Sequence, residues 1–226
     1  MKKWLLALWF ACLLLSGGSA DATSQTAVHP VVFKLENNRQ EVLLIKPQEV
    51  KKVYVEKALP VGKVILFSRP YELDDYLYAA WVHEGKLYDL GSIGMVPYAN
   101  ESYVHLYQLN GHQILRIDGV YQPQAIQSNY YQFTGEAIKP YLRVDGNVAE
   151  ADLDGDGRKE IIATHDGGKT WLYRELSNGQ FEVADINRQL RAKEVIFQRE
   201  DDLFIAKMDG ETIRLIYRKD GLHEVR

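Results

Sequence analysis

The residues whose types and spacing best suggest chemistry lie between Asp152 and Glu160. Carboxylates stand at positions 1, 3, 5 and 9 of this segment (Asp152, Asp154, Asp156 and Glu160), with a glycine at position 6. Calcium takes roughly six to eight oxygen ligands, which alternate residues of a tightly turning loop direct inward, whereas acids crowded without a cation repel one another. The sequence therefore predicts a calcium loop here, with the backbone carbonyl of Arg158 as a further ligand.

The residues after the loop show that it is not a helix–loop–helix calcium site. Such a site needs a bidentate acid at position 12, which is Ala163 here, and a helix on each side. The segment from Ile161 to Thr164 has instead the apolar, β-branched composition of a strand. We therefore expect a loop that closes at position 9 and continues directly into a β-strand.

The loop and the residues after it resemble an FG-GAP or VCBS-type repeat. The resemblance lies in the run Asp-x-Asp-Gly-Asp-Gly-x-x-Glu-Ile, in Asp166-Gly167-Gly168, and in a hairpin through Trp171 and Tyr173, and it covers roughly residues 149–186. Repeats of this family build integrin-like β-propellers and hold calcium between neighbouring strands. The resemblance thus implies calcium as the bound ion and the same five loop residues as its ligands.

The elements that would position this loop are short strands joined by turns. Four segments have the hairpin pattern, two apolar runs around a two-residue turn, and three of the turns are Asn-Gly or Asp-Gly, which supply the positive φ angles that tight hairpins need. The predicted hairpins cover residues 76–90, 103–117, 170–184 and 203–217. In the second of them we expect His105 and His112 to face each other across the turn.

Helix signals are few. Residues 48–59 fit a helix or a strand equally well, and Asp185 is a candidate N-cap for a short helix over residues 186–193. The fold class is therefore all-β, either β-propeller-like or an antiparallel meander of about four hairpin units, with a β-sandwich as the alternative. Residues 29–226 are expected to form one such domain.

The N-terminus has the order of features of a secretory signal peptide. Two lysines precede an unbroken apolar run from Trp4 to Leu15, and small residues follow. The run is too short to span a membrane, which takes about 20 apolar residues. We expect residues 1–20 to be removed, with cleavage after Ala20 or Ala22, and residues 21–28 to form a disordered leader. The exported chain would be secreted or held in the cell envelope, and the short signal suits a bacterium.

Charge and cysteine content exclude several functions for the exported chain. The 27 basic residues include Lys2 and Lys3, so 25 remain against 31 acidic residues, a formal charge of −6 without a basic block. Nucleic acid is therefore not an expected partner. Cys12, the one cysteine, lies in the signal, so disulfides, thiolate catalysis and cysteine-ligated zinc are excluded.

Two further groups of residues are candidates for function. Glu72, Asp74 and Asp75 form an acidic cluster that is either a solvated loop or the acids of a hydrolase. The stretch from Tyr121 to Tyr141 is rich in aromatic residues, which are expected to be buried in a core rather than exposed for binding.

Three functions remain open from the sequence. The first is a non-catalytic calcium-binding module that recognises a protein or a cell-surface polysaccharide. The second is a secreted hydrolase acting on glycans or esters through the acidic cluster at residues 72–75. The third is a structural accessory subunit, which a broad apolar surface patch would identify.

Overall fold

A computed structural model describes residues 27–36, 41–71 and 75–225. Within these ranges the chain forms nineteen β-strands, all paired antiparallel, one α-helix, and two short 3₁₀ turns at Pro47–Glu49 and Val96–Glu101. The all-β class predicted from the hairpin pattern is confirmed. The same part of the chain contains no apolar helix of membrane-spanning length.

The first three strands are short and pair with distant parts of the chain. They are β1 (Val28–His29), β2 (Lys34–Leu35) and β3 (Leu43–Ile45). Val28 belongs to the leader predicted at residues 21–28. The signal peptide and residues 21–26 lie outside the described residues, as do Glu72 and Asp74 of the acidic cluster.

The remaining strands form four meanders, here called sheets I to IV. Sheet I contains β4 (Lys52–Leu59), β5 (Gly62–Ser68), β6 (Tyr76–His83) and β7 (Lys86–Met95), with β3 beside β7. Sheet II contains β8 (Tyr103–Leu109), β9 (His112–Gln122), β10 (Ala125–Thr134) and β11 (Ala137–Asp145).

Sheets III and IV follow the same plan. Sheet III contains β12 (Asn147–Ala151), β13 (Glu160–His165), β14 (Lys169–Glu175) and β15 (Phe181–Asp185), with β2 beside β15. The helix α1 (Ile186–Leu190) then leads to sheet IV, which contains β16 (Glu194–Gln198), β17 (Leu203–Lys207), β18 (Thr212–Arg218) and β19 (Gly221–Val225), with β1 beside β19.

The local signals read from the sequence produce these elements. All four predicted hairpins form, as β6–β7, β8–β9, β14–β15 and β17–β18. Asn110 and Gly111 both have positive φ, as a tight two-residue turn requires. The undecided segment at residues 48–59 is mainly the strand β4, and Asp185 caps α1 by accepting a hydrogen bond from the backbone N–H of Arg188 at 2.9 Å.

The expected contact between His105 and His112 is wrong. The two-residue turn pairs Leu109 with His112, and this register carries His105 opposite Arg116. His112 lies one pair from the turn and His105 lies five, so the two rings are separated along the hairpin.

The sheets pack face to face through successive hydrophobic cores. Sheet II illustrates the arrangement, because successive side chains of a strand point to opposite faces. Tyr131 packs into the core shared with sheet I, whereas its neighbour Tyr130 packs into the core shared with sheet III. A third core, which includes Leu172 and Phe204, joins sheets III and IV. The four antiparallel sheets fit the predicted meander and also its β-sandwich alternative, and none of them closes into a barrel. The propeller arrangement stays a prediction.

The aromatic stretch lies largely inside these cores. Tyr130, Tyr131 and Phe133 are buried, and Tyr121 and Tyr141 are partly buried. The burial expected for this stretch is confirmed for the first three residues.

Sheets I and II touch through their backbones at two glycines. A Cβ atom on Gly119 of β9 would lie 1.6 Å from the carbonyl oxygen of Ile93 in β7, and one on Gly94 would lie 2.8 Å from that of Val120. Any larger residue at Gly119 would force the strands apart. The two sheets are therefore held at a separation that this glycine sets.

Candidate metal centre

The predicted calcium loop connects two neighbouring strands of sheet III. β12 and β13 pair from Asn147 opposite Thr164 to Ala151 opposite Glu160, and the loop is the connection between them. Because the strand pair fixes both ends of the loop, the acids in it have little freedom to spread. The sequence-based expectation that the loop runs directly into a strand is confirmed.

Three of the predicted ligands converge. Carboxylate oxygens of Asp152, Asp154 and Asp156 all lie within 4.8 Å of one another. Gly155 and Gly157 have φ of +74° and +86°, a conformation that glycine adopts at little cost and that lets the chain turn sharply between the acids. The loop is thus folded so that alternate side chains point to a common centre.

Backbone N–H groups of the loop hold the three carboxylates in place. Gly157 N donates to Asp152 Oδ2 at 3.0 Å, and Asp156 N donates to Asp154 Oδ1 at 3.1 Å. Arg158 N donates to Asp156 Oδ1 at 2.7 Å. Each bond uses one oxygen of its carboxylate, and no hydrogen bond from a described residue reaches the other oxygen.

Glu160, the predicted ligand at position 9, is not part of this group of converging oxygens. Its side chain is only 5% exposed, and its Oε2 accepts a hydrogen bond from the backbone N–H of Leu153 at 2.9 Å. Burial raises the pKa of Glu160 to about 7, with a further contribution from the negative charges of Asp154 and Asp156. A cation at the centre of the loop would remove that repulsion and favour the ionised form.

The side chain of Arg158 points to a different partner. Its Nη2 donates to Glu175 Oε2 at 2.8 Å. The calcium ligand predicted at this residue is its backbone carbonyl and not this side chain. The side chain of Glu175, on β14, is only 2% exposed. An ion pair of this kind needs further polar partners to compensate the loss of hydration.

Those further partners come from the β8–β9 turn of sheet II. His112 Nε2 lies 3.3 Å from Glu175 Oε1, and Asn110 Nδ2 donates to Glu175 Oε2 at 3.3 Å. Asn110 also bonds both backbone groups of Lys159, accepting from its N–H at 2.7 Å and donating to its carbonyl at 3.1 Å. The loop is therefore clamped against sheet II.

Sequence analysis missed Glu175, Asn110 and His112 as parts of this site. Asn110 was interpreted as a turn residue, which it also is, and Glu175 lies in a hairpin without any local signal. Their roles arise only where sheets II and III meet, through contacts between residues 49 to 65 positions apart along the chain.

The donor set of the loop fits a hard divalent cation. Every candidate ligand is an oxygen, three of them carboxylates that already converge, and Glu160 lies close enough for its pKa to respond to two of them. Oxygen-only donors of this kind suit calcium, magnesium or manganese rather than softer metals. The spacing within the loop is what favours calcium among these ions.

Of the acidic cluster at residues 72–75, only Asp75 lies among the described residues. Asp75 is exposed, and its backbone carbonyl accepts a hydrogen bond from Val96 N at 2.7 Å.

Comparison of the whole chain with protein-family models, with curated proteins and with solved structures finds no match in any of the three.

Proposed function

We propose that this protein is an exported or cell-envelope calcium-binding module that recognises a protein or a cell-surface polysaccharide without catalysing a reaction. The observation that carries the calcium proposal is the convergence of the Asp152, Asp154 and Asp156 carboxylates within 4.8 Å on a loop held by two paired strands. Acids fixed this close together gain from a bound divalent cation.

The ion would act as a local staple. Calcium modules that work outside cells have dissociation constants of about 10⁻⁴ to 10⁻³ M. At about one millimolar calcium, binding of that strength stabilises the folded state by roughly 0.4–1.4 kcal/mol. The expected place of action is the junction of sheets II and III, since the loop is clamped there through Asn110 and Glu175.

The test is a calcium titration of the purified protein. Isothermal calorimetry measures the binding, and thermal unfolding measures its effect on stability. We expect one binding event with a dissociation constant in the range above and a melting temperature that rises with calcium. Magnesium at the same concentration is the control. It should bind more weakly, because magnesium requires a near-octahedral set of ligands that this loop does not readily provide. Neither heat nor a change in melting temperature with calcium would refute the calcium proposal.

The remaining parts of the proposal have their own tests. Export predicts that protein recovered from outside the cytoplasm has lost its first 20 or 22 residues, which intact-mass spectrometry measures directly. A full-length mass would contradict it. The non-catalytic part predicts no turnover on broad panels of glycan and ester substrates, and robust hydrolysis of any of them would overturn it.

A further inference from the structure

A second group of polar side chains lies where sheets I, II and III meet, beside the strand that enters the predicted calcium loop. A cavity of about 400 Å³ is lined by Lys57, His105, Tyr107, Arg116 and Glu150, among other residues. Its size lies within the roughly 300–1,000 Å³ typical of small-molecule sites.

A second cavity, of about 170 Å³, also borders Arg116. Arg116 lines both, and Tyr103, Asp118, Asn147 and Arg199 also line the second one. We call the two together the Arg116 cleft. It contains side chains from sheets I, II and III and from the turn after β16.

Arg116 is fixed at the centre of the cleft by two carboxylates. Its Nη1 lies 3.1 Å from Glu150 Oε1, and its Nη2 lies 3.0 Å from Asp118 Oδ2. All three side chains are at most 19% exposed. Ser128 Oγ donates to the other oxygen of Asp118 at 2.6 Å. Charged groups held this firmly present a fixed pattern of donors and acceptors.

Glu150 is held in an orientation that leaves one oxygen available. The hydroxyls of Tyr107 and Tyr130 donate to Oε1, at 2.5 Å and 3.1 Å, and Arg116 shares the same atom. Burial raises the pKa of both tyrosines, with Glu150 adding to it, so their hydroxyls stay protonated as donors. Among the described residues none donates to Oε2, although Glu150 lines the cavity.

The rim of the cleft carries an exposed aromatic surface. Tyr103 is 62% exposed, and its ring lies nearly parallel to that of His105, with centres 6.2 Å apart and planes at 26°. Burial, with the charge of Arg116, lowers the pKa of His105, although Asp118 Oδ2 lies 3.6 Å from its Nε2 and acts in the opposite direction. A flat aromatic surface therefore adjoins the fixed polar groups, with the ring of Tyr103 as its exposed part.

The charges of the cleft balance. Three cationic side chains, Lys57, Arg116 and Arg199, share the lining with three carboxylates, Glu101, Asp118 and Glu150. The carboxylates would repel an anionic ligand, and Arg116 and its cationic neighbours would repel a cationic ligand. An apolar ligand would leave the buried polar groups without partners, which is unfavourable. The ligand that fits is uncharged, rich in hydroxyl groups, and has one apolar face.

We propose that the Arg116 cleft binds a neutral oligosaccharide, whose hydroxyls bond to Glu150 Oε2, Lys57 and His105 and whose ring face stacks on Tyr103. This inference rests on the proposed function as a binding module, and it chooses polysaccharide over protein as the ligand. Glu150 lies two residues before Asp152 on the strand that enters the calcium loop. Recognition and ion binding therefore occupy the two ends of one short segment.

The test is calorimetry with neutral hexasaccharides of glucose, mannose, xylose and N-acetylglucosamine, with hexagalacturonate as the anionic control. We expect at least one neutral sugar to bind with a dissociation constant below about 1 mM, a free energy of about −4 kcal/mol. Tyr103→Ala should weaken that binding at least about tenfold. Tyr71→Ala removes a tyrosine that is 95% exposed elsewhere, and should leave it unchanged.

A second variant tests the buried acceptor. Glu150→Gln keeps the shape of the side chain but exchanges one oxygen for a donor, and should lower affinity in a protein whose circular dichroism is unchanged. The inference is overturned if no neutral sugar binds below about 1 mM, if hexagalacturonate binds more tightly, or if Tyr103→Ala binds as the wild type does. If Glu150→Gln fails to fold, Tyr103→Ala decides the matter.

The same samples separate this inference from the calcium proposal. If the protein binds calcium but no sugar, the sugar-binding proposal is refuted and the calcium proposal is not. If the protein binds sugar equally in calcium and in EGTA, and calcium addition gives no heat, the calcium proposal is refuted and the sugar-binding proposal is not.

Discussion

The guanidinium of Arg158 and the carboxylate of Glu175 are joined at 2.8 Å, which ties the predicted calcium loop to the buried end of β14. The acid is almost fully enclosed, with 2% of its side chain exposed, whereas 39% of the Arg158 side chain is exposed. The pair therefore anchors the loop from within the protein, and its acid also reaches His112 of sheet II.

Replacing Arg158 by alanine should separate anchoring from ion binding. The free energy of unfolding should fall by about 1–2 kcal/mol, less than for a fully buried pair because water already reaches the guanidinium. Calcium affinity should not fall, since the predicted ligand at this position is the backbone carbonyl. Urea unfolding and calorimetry measure the two quantities. Lys159→Ala, at the exposed neighbour, is the control, and a loss of calcium binding in Arg158→Ala would contradict the assignment.

Removing two of the converging acids should abolish the response to calcium. The double variant Asp154→Ala and Asp156→Ala leaves too few carboxylates for a hard cation, so its melting temperature should no longer rise with calcium. Without calcium the variant should be at least as stable as the wild type, because like charges have been removed. Thermal unfolding with and without calcium measures both effects.

The matched control for that variant is Asp209→Ala with Glu211→Ala. It removes two exposed acids at the same spacing from the β17–β18 turn and should keep the full calcium response. An unchanged response in the loop variant would show that calcium acts elsewhere.

The raised pKa of Glu160 predicts a pH dependence of stability in calcium-free buffer. With a folded-state pKa of about 7 against an ordinary value of 4.5, the folded protein holds this proton more tightly than the unfolded chain does. Unfolding free energy should therefore be unaffected below pH 4.5, decrease between pH 4.5 and 7, and level off above. The full decrease is at most about 3 kcal/mol.

The measurement is the difference in unfolding free energy between wild type and Glu160→Gln across this pH range. The variant cannot ionise at this position, so subtraction removes the other titrating groups. Calcium should flatten the difference, because the ion favours the carboxylate. A difference that is constant with pH in EGTA would contradict the pKa shift.

Gly119→Ala should strongly destabilise the protein. The added carbon would lie 1.6 Å from the Ile93 carbonyl oxygen, so β7 and β9 must separate and the core between sheets I and II must open. We expect a loss of more than about 3 kcal/mol, beyond ordinary overpacking, measured by urea unfolding. Gly111→Ala has open space around it and should lose only about 1 kcal/mol, for its positive φ. Equal losses in the two variants would contradict the steric explanation.

The parts of the structure that sequence predicted are those encoded over a few residues. Each hairpin needs only alternating side chains and a turn such as Asn110-Gly111, whose positive φ angles glycine and asparagine accept. The convergence of Asp152 with its neighbours is equally local, because the loop spans nine residues. The sequence of residues 48–59 does not distinguish a helix from a strand, because its apolar residues fit both the helical period of about 3.6 and the strand period of 2. The structure shows a strand there, because β4 pairs with β5.

The parts that sequence could not predict depend on which sheets become neighbours. Glu175 acquires its role only when the β8–β9 turn packs against sheet III, and Arg116 lies between two acids because Glu150 arrives from another sheet. The error over His105 has a smaller cause, since the register of a tight turn places it opposite Arg116. Neither pattern nor composition carries this information.

The strand β1 gives the folding reaction a particular order. His29 bonds Glu224 across 195 residues, and β1 completes the sheet formed by the last strands of the chain. Contacts this distant in sequence slow folding, because loop closure precedes the gain from pairing. A nascent chain would thus keep sheet IV unfinished until synthesis has passed residue 224. Such a delay would suit the proposed export, in which the chain crosses a membrane in an extended form before it folds.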